Sequence, residues 1–331
     1  MKAIIPVAGL GSRLRPHTHT QPKSLIPVAG KPILAHIVDY LQEVGVKEFV
    51  FIIGYMGDKI EDYINRNYPK LKSFFVVQAN GKGTGHAIWL SRHLIENEDD
   101  LIVVFGDTIF TADKSVLTRK VNALGISNVE DPRMFGVAEL NENGQVKNVV
   151  EKPSIPVSNK AMVGVYRFAE AKMLKLALNH LIDNDLKNKG EFHLTDAINQ
   201  MIHQGSVFEV FDVDTWFDCG KKDILLETNA ILLKKQGEQD LSSATIENCI
   251  IVPPVHIGEK CILKNSIIGP NVSIGSETYM NYCIVKNGII GNESEIDDVH
   301  LRNSVVGNDT RLKGSALSLN LGDSTEIRMD Y

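Results

Sequence analysis

The stretch from Met1 to Val38 carries five basic side chains, Lys2, Arg13, Arg15, Lys23 and Lys31, and no carboxylate; Asp39 is the first acid. The 331-residue chain as a whole is net −6, so this excess is local. Arg13, Arg15 and Lys23 lie in or beside a loop that opens Gly9-Leu10-Gly11-Ser12 and is fed by the apolar run Ala3–Val7. Small residues let backbone N–H groups approach an anion closely, and Arg and Lys add charge. Together they have the chemistry of a polyphosphate site.

Two known phosphate loops are excluded. The GxxxxGK[ST] pattern is absent, and Leu14 occupies the third-glycine position of the dinucleotide fingerprint. The loop reads G-x-G-S-R-L-x-P-x-T-x-x-x-P-K. Far along the chain, Asp107 follows an apolar run in VVFGDTIF, and Asp218 sits in WFDCGKKDILLETN. Mg²⁺ takes one or two carboxylates plus phosphate oxygens and water, so both aspartates are candidates for one cation. Taken alone, Asp107 is also an ordinary strand-end turn residue, and Asp218 a cap or turn residue before a helix over Lys221–Ala230. Gln78 ends another apolar run, and Gly83-Thr84-Gly85-His86-Ala87 follows. A glutamine amide offers a donor and an acceptor, which suits the imide edge of uracil or thymine; the segment also reads as plain loop chemistry.

The elements that position these residues follow from periodicity. Residues 1 to about 230 alternate β-rich runs with amphipathic helical stretches. Strands are predicted at Ala3–Val7, Glu48–Ile53, Ser73–Val77 and Leu101–Phe105, with helices at Pro32–Val44 and Asp58–Asn67. That order makes an α/β fold with a mostly parallel, twisted sheet and helices on both faces. Ligands of such sheets gather at the carboxyl ends of the strands. The loop after Val7 and the segment Gly106-Asp107-Thr108 both fall there.

After Lys235 helical periodicity stops. Apolar residues recur every six positions: Ile251 and Ile257, then Ile262, Ile268, Ile274 and Met280, then Ile284, Ile290 and Ile296, then Val306 and Leu312. Glycine follows five of them, as Gly258, Gly269, Gly275, Gly291 and Gly307. This pattern predicts a β-helix of hexapeptide coils, each borrowing its core from its neighbours. The frame slips near 257–262, 280–284 and 296–306. The polar segment Ile231–Gln239 is expected to be the linker, with a first domain over 1–235 and a second over 240–331.

Composition is ordinary for a globular protein, 43% apolar and 23% charged. The acidic balance argues against nucleic acid as a partner. No signal peptide and no membrane segment are expected, because no stretch approaches the roughly 20 apolar residues a membrane helix needs. Cys219, Cys249, Cys261 and Cys283 form no CxxC pair, which speaks against a disulfide frame or a zinc site. The last three are read as small hydrophobes in the solenoid. A cytoplasmic protein with reduced thiols is the expectation.

The block from Ala8 to Pro32 closely resembles the N-terminal signature of the sugar-1-phosphate nucleotidylyltransferases, and the resemblance covers roughly 1–230. It implies a Rossmann-like catalytic domain, a nucleoside triphosphate and a sugar-1-phosphate as ligands, and Mg²⁺ as cofactor. Ala8, Gly9, Gly11, Ser12 and Arg13 would bind the nucleotide together with Gln78, Gly83 and Thr84. Arg13 would hold the β/γ-phosphates and the departing pyrophosphate; Lys23 would bridge the α-phosphate and the incoming sugar phosphate. Asp107 and Asp218 would bind the magnesium. Arg15 either assists or lies on the loop's outer face. Cys219 stands where the family usually has an apolar or hydroxyl residue, and no role is assigned to it.

Phe135-Gly136-Val137, Glu151-Lys152-Pro153 and the segment from Met162 to Tyr166 resemble the family's sugar-binding segments. Glu151 would take hydroxyls and Lys152 the sugar phosphate, with Gly136 and Gly164 allowing close approach. Thr195 or Asp196 is read instead as the cap of a helix over Ala197–His203. The GTGHA string looks most like uridylyl- and thymidylyltransferases, so dTTP or UTP with glucose-1-phosphate is favoured, and GTP with mannose-1-phosphate is the alternative. The hexapeptide tail is similar to the left-handed β-helix of some members, which is an acetyltransferase in bifunctional relatives. His256 and His300 are its only histidines, and neither matches an acyl-transfer site, so an assembly role in a homo-oligomer is expected. A non-catalytic subunit that binds a nucleotide sugar is the reading of another class. Such a branch would have lost Arg13, Lys23, Asp107 or Asp218, and all four are present.

Overall fold

Near-continuous runs of Val, Ile and Phe build the centre of a nine-stranded sheet in the computed structural model, which describes residues 1–314 and 319–328. The chain divides into two units: Met1–Gly9 with His36–Trp216, and Leu10–Ala35 with Phe217–Tyr331. In the first, strands β1 (Lys2–Pro6), β2 (Glu48–Ile53), β3 (Lys72–Val77) and β4 (Leu101–Val104) run parallel in the order β4-β1-β2-β3. Ile4, Val50, Ile52, Leu101 and Val103 are fully buried, as suits strands covered on both faces. The helices at Ile33–Glu43 (α1) and Gly57–Asn67 (α2) fall within two residues of their expected bounds.

The other half of this sheet is antiparallel. Strands β5 (Asn122–Asn128), β6 (Gly136–Leu140), β7 (Val146–Glu151) and β8 (Lys160–Phe168) meet in antiparallel pairs, and β9 (Phe208–Asp212) pairs parallel with β5. Strand β8 also runs antiparallel to β4, joining the halves. The β6–β7 hairpin closes on Asn141, whose side-chain oxygen accepts from the N–H groups of Asn143 and Gln145. Helices α3 (Thr84–Leu90), α4 (Ala171–Asp183) and α5 (Leu194–His203) carry Ile88, Leu174, Leu178, Ile198 and Met201 into the same core.

In the second unit, α6 runs unbroken over Lys222–Gln236. The segment expected to be a linker is therefore helical through residue 236, because Leu233 continues the buried stripe of Leu225 and Leu226; the break comes at Gly237, at φ 78°. Gln239 then pins the next element: its amide donates to the Ile257 carbonyl at 3.0 Å and accepts from the Ile257 N–H at 2.8 Å.

A β-helix follows, its strands in two parallel sheets of six and seven strands. The first sheet stacks strands beginning at Thr245, Ile262, Tyr279, Glu295, Arg311 and Glu326. Stacked side chains on successive coils stand 17, then 16, then 15 residues apart, short of three full hexapeptides. The residues lost at corners shift the frame, and a one-residue shift turns a strand's other face inward. Ile262 and Ile284, expected in the core, are consequently 40% and 41% exposed, while Leu263 and Val285 fill it. Gly258, Gly275, Gly291 and Gly307 form a column in which any added Cβ would come within 2.5 Å of the next coil. Part of the expected second domain, residues 315–318 and 329–331, lies outside the described residues.

Candidate active site

In the second unit the loop after Leu10 is held by local constraints. Gly11 takes a left-handed φ of 63° and opens a short turn over Ser12–Leu14. Thr18 donates its hydroxyl to the Gly11 carbonyl at 2.9 Å. A Cβ on Gly11 would lie 2.9 Å from Lys23 Cβ and from the Thr18 methyl, so only glycine lets the turn close this tightly. Leu14 is buried beneath it, while Ser12, Arg13 and Arg15 are exposed.

The closed loop brings both expected cations to one carboxylate. Lys23 Nζ lies 3.7 Å from Oδ1 of Asp218, and Arg13 Nη2 lies 4.0 Å from Oδ2. Asp218 ends a strand, Thr215–Asp218, and Gly220 follows. A Cβ on Gly220 would stand 2.9 Å from Arg13 Nη2, so this glycine leaves room for the guanidinium. A planar fork, a point charge and a carboxylate are distinct tools for a polyphosphate: the fork grips paired oxygens, the ammonium neutralises one point, and the carboxylate takes a divalent cation. Among the described residues no group of three or more His, Cys, Asp or Glu could cage a metal. Asp218 beside the side chains of Arg13 and Lys23 therefore fits Mg²⁺ of the kind that draws most of its ligands from phosphate and water.

The remaining candidates belong to the first unit. Ala8 packs against Gly54, where a Cβ would come within 2.8 Å of it, and the space around Gly9 Cα is open. Gly106 joins the ends of β1 and β4: its N–H donates to the Pro6 carbonyl at 3.1 Å, and a Cβ would meet Val7 at 2.2 Å. Asp107 comes next and is half-buried. Gly164, at φ 81°, accepts from the Phe105 N–H at 2.9 Å, with the Phe105 ring and Thr108 hydroxyl 3.0 Å from where its Cβ would be.

Gln78 is buried, and its amide nitrogen bonds the Gly83 carbonyl at 3.2 Å and His86 Nδ1 at 3.1 Å. Burial and the nearby Lys82 charge hold the His86 pKa below its ordinary value. Gly83 has φ 98° and a virtual Cβ 2.4 Å from the Phe192 carbonyl, and the Thr84 hydroxyl accepts from the Leu194 N–H at 3.0 Å. The whole segment thus docks on residues 192–194.

Glu151 pairs across the β6–β7 hairpin with Gly136. Its carboxylate lies 3.7 Å from Lys152 Nζ and accepts from the Thr195 hydroxyl at 3.3 Å. Thr195 was expected to cap its helix, as was Asp196, but His193 holds that position and both lie inside the first turn. Helix α5 therefore adds Thr195 to the polar cluster around Glu151. The Glu191-Phe192-His193-Leu194-Thr195-Asp196 string was the sequence signal for it, and cap chemistry masked it. Burial raises the Asp196 carboxyl above its ordinary range.

Comparison with known proteins places the chain in a family. Residues 2–235 match the family described as nucleotidyl transferase. The chain is 35% identical over 262 residues to the bifunctional protein GlmU of Methanocaldococcus jannaschii, covering 79% of this chain and 61% of that one. It is 30% identical over 311 residues to the glucose-1-phosphate thymidylyltransferase of Streptomyces griseus, covering 87% and 84%. A UDP-glucose pyrophosphorylase solved with UDP-glucose superposes at TM-score 0.61 with 26% identity, over 71% of this chain and 98% of the other. The chain thus spans about three fifths of the length of the bifunctional relative.

Proposed function

The chain belongs to the nucleotidyl transferase family, and from that premise we propose that it is a Mg²⁺-dependent sugar-1-phosphate nucleotidylyltransferase. The observation that carries the reading is the convergence of Arg13 and Lys23 on Asp218. In the reaction, a phosphate oxygen of the sugar-1-phosphate attacks the α-phosphorus of the triphosphate. The bond from that phosphorus to the bridging oxygen breaks, and pyrophosphate leaves with the electron pair. Such transfers ask little covalent work of the protein; positioning and charge neutralisation lower the barrier. Arg13 grips the β/γ-phosphates, and Lys23 draws the α-phosphate and the incoming phosphate together. Magnesium, when bound, neutralises phosphate charge, and Asp107 and Asp218 are the carboxylates assigned to hold it. Glu151 orients sugar hydroxyls, and Lys152 meets the sugar phosphate.

For the base, dTTP or UTP is favoured. The two amide protons of Gln78 go to Gly83 and His86, which leaves its carbonyl to accept from a base. The imide N–H of thymine or uracil can donate there, as can the exocyclic amines of the other bases, so the preference rests on the likeness of the GTGHA string to uridylyl- and thymidylyltransferases. GTP with mannose-1-phosphate is the second pair, because guanylyltransferases of the family share the opening signature and carry β-helix tails. The exposed column Ile250, Ile267 and Ile284 supports self-association of the β-helix.

Pyrophosphate release with Mg²⁺ tests the reading, screening dTTP, UTP, GTP, ATP and CTP against glucose-, N-acetylglucosamine-, galactose- and mannose-1-phosphate. Release with dTTP or UTP is expected; release only with GTP, ATP or CTP would remove Gln78 as base reader. Silence from folded protein that still binds nucleotide would favour a regulatory subunit.

A further inference from the structure

The seven-stranded sheet of the β-helix has an outward column whose middle solvent does not reach. In register, His256, Ser273, Ile289, Val305 and Asn320 follow one another on successive coils. Ser273, Ile289 and Val305 are only 4%, 1% and 3% exposed. What covers this face is α6 and the loop 10–35 of the same unit.

The loop is fastened at both ends of this column. At the first coils, the His256 ring fills the space a Cβ of Gly30 would need, 2.4 Å away. There Ser273 donates its hydroxyl to the Asn229 side-chain oxygen at 2.6 Å, and the same oxygen accepts from the Ala29 N–H at 2.9 Å. On the last described coil, the His17 ring is hydrogen-bonded to the Asn320 side chain, and the Thr20 hydroxyl donates to the Asp323 carboxylate. The other Asp323 oxygen accepts from the Asn308 N–H at 2.9 Å, tying that carboxylate to the coil before it. Pro16 packs on Gly322, where a Cβ would lie 3.0 Å away. His17 and Thr18 are 3% and 2% exposed, and Thr18 is the residue that closes the turn on Gly11.

We propose that Asn320 and Asp323 are positioning residues for nucleotidyl transfer, holding through His17 and Thr20 the turn that aims Arg13 and Lys23 at the phosphates. This rests on the reading of Arg13 and Lys23 as phosphate-binding groups. The β-helix is then a jig for the catalytic loop as well as a surface for assembly. Catalysis by positioned charge is steeply sensitive to placement: a displacement of about 1 Å costs on the order of a hundredfold in rate.

The test uses the full chain with four variants, Asn320→Ala, Asp323→Ala, Thr20→Val and Thr20→Ser. Steady-state transfer is measured with Mg²⁺, dTTP and glucose-1-phosphate, alongside backbone hydrogen exchange of residues 10–25. The first three variants should lose about ten- to a hundredfold in kcat and exchange at least about tenfold faster over residues 11–18. Thr20→Ser keeps the hydroxyl and should restore kcat to within about threefold of wild type. Should either coil variant fail to fold, the Val and Ser pair tests the same hydrogen bond from the loop side. Folded variants with wild-type kcat and exchange would overturn the proposal alone. A wild-type chain inert with every nucleotide and sugar phosphate pair would overturn the reading of the site and this proposal with it.

Discussion

Lys23 Nζ lies 3.7 Å from a carboxylate oxygen of Asp218, although the two residues are separated in sequence by the bulk of the first unit. Lys23 is 12% exposed in its side chain and Asp218 32%. A partly exposed pair of this kind contributes about 1 kcal/mol or less to stability, so its value lies in charge placement. Lys23→Ala should lower kcat by about 10²- to 10³-fold while melting within a few degrees of wild type, and Asp218→Asn should do the same. Activity assays beside thermal melts decide the point; a collapse in melting temperature that accounts for the lost activity would make the pair structural.

Gly220 gives a finer probe of the same cluster. A Cβ there would stand 2.9 Å from Arg13 Nη2, the far end of a flexible and exposed side chain. Gly220→Ala should therefore displace the guanidinium without unfolding the chain. The expected outcome is a KM for triphosphate raised about tenfold, with a melting temperature close to wild type, since a charge-assisted contact is worth about 1.5–3 kcal/mol. Unchanged kinetics would remove Arg13 from phosphate binding.

The phosphate loop was legible because its chemistry is local: glycines, cations and the absence of acids fall within one short stretch. The parallel strands were legible too, since long apolar runs have few alternatives. The antiparallel half was less so, because β6, β7 and β9 mix polar and apolar residues and the strands take their partners from tertiary context. Thr195 escaped for a related reason: a threonine near a helix start satisfies the rules for a cap, and only the hairpin carrying Glu151 reveals its partner. The tie between Thr20 and Asp323 joins opposite ends of the chain, and no spacing rule reaches that far.

The β-helix frame offers a stability test of the same lesson. Counting back six from Ile268 places Ile262 inside, but Leu263 keeps the six-residue step from Ile257, the corner after it is short, and Leu263 takes the core. Leu263→Ala should cost about 2–4 kcal/mol through lost burial and the cavity left behind. Ile262→Ser should cost less than about 1 kcal/mol. Urea unfolding of both variants measures the difference, and the opposite ranking would mean that Ile262 faces the core.

Acid should weaken both units, through His86 in the first and through His17 and His256 in the second. Burial holds the His17 pKa below 6.5, outweighing its hydrogen bond to Asn320 and the Asp323 charge, and burial lowers His256 as well. Between the depressed folded value and 6.5, the unfolded chain binds a proton that the folded chain does not. Stability therefore rises with pH across that window, and it is lost as pH falls from 6.5 through the folded value, by at most about 1.4 kcal/mol per pH unit for each histidine. Asp196 opposes this at lower pH: its raised folded value makes the native state hold a proton above 3.8 that the unfolded chain has released, so its contribution is lost as pH rises through that value. The melting temperature should fall from pH 7.5 to 5.5, and histidine NMR titration should place the midpoints of His17 and His256 below 6.5. A midpoint at or above 6.5 for His17 would mean that burial does not outweigh the Asn320 hydrogen bond and the Asp323 charge at this ring.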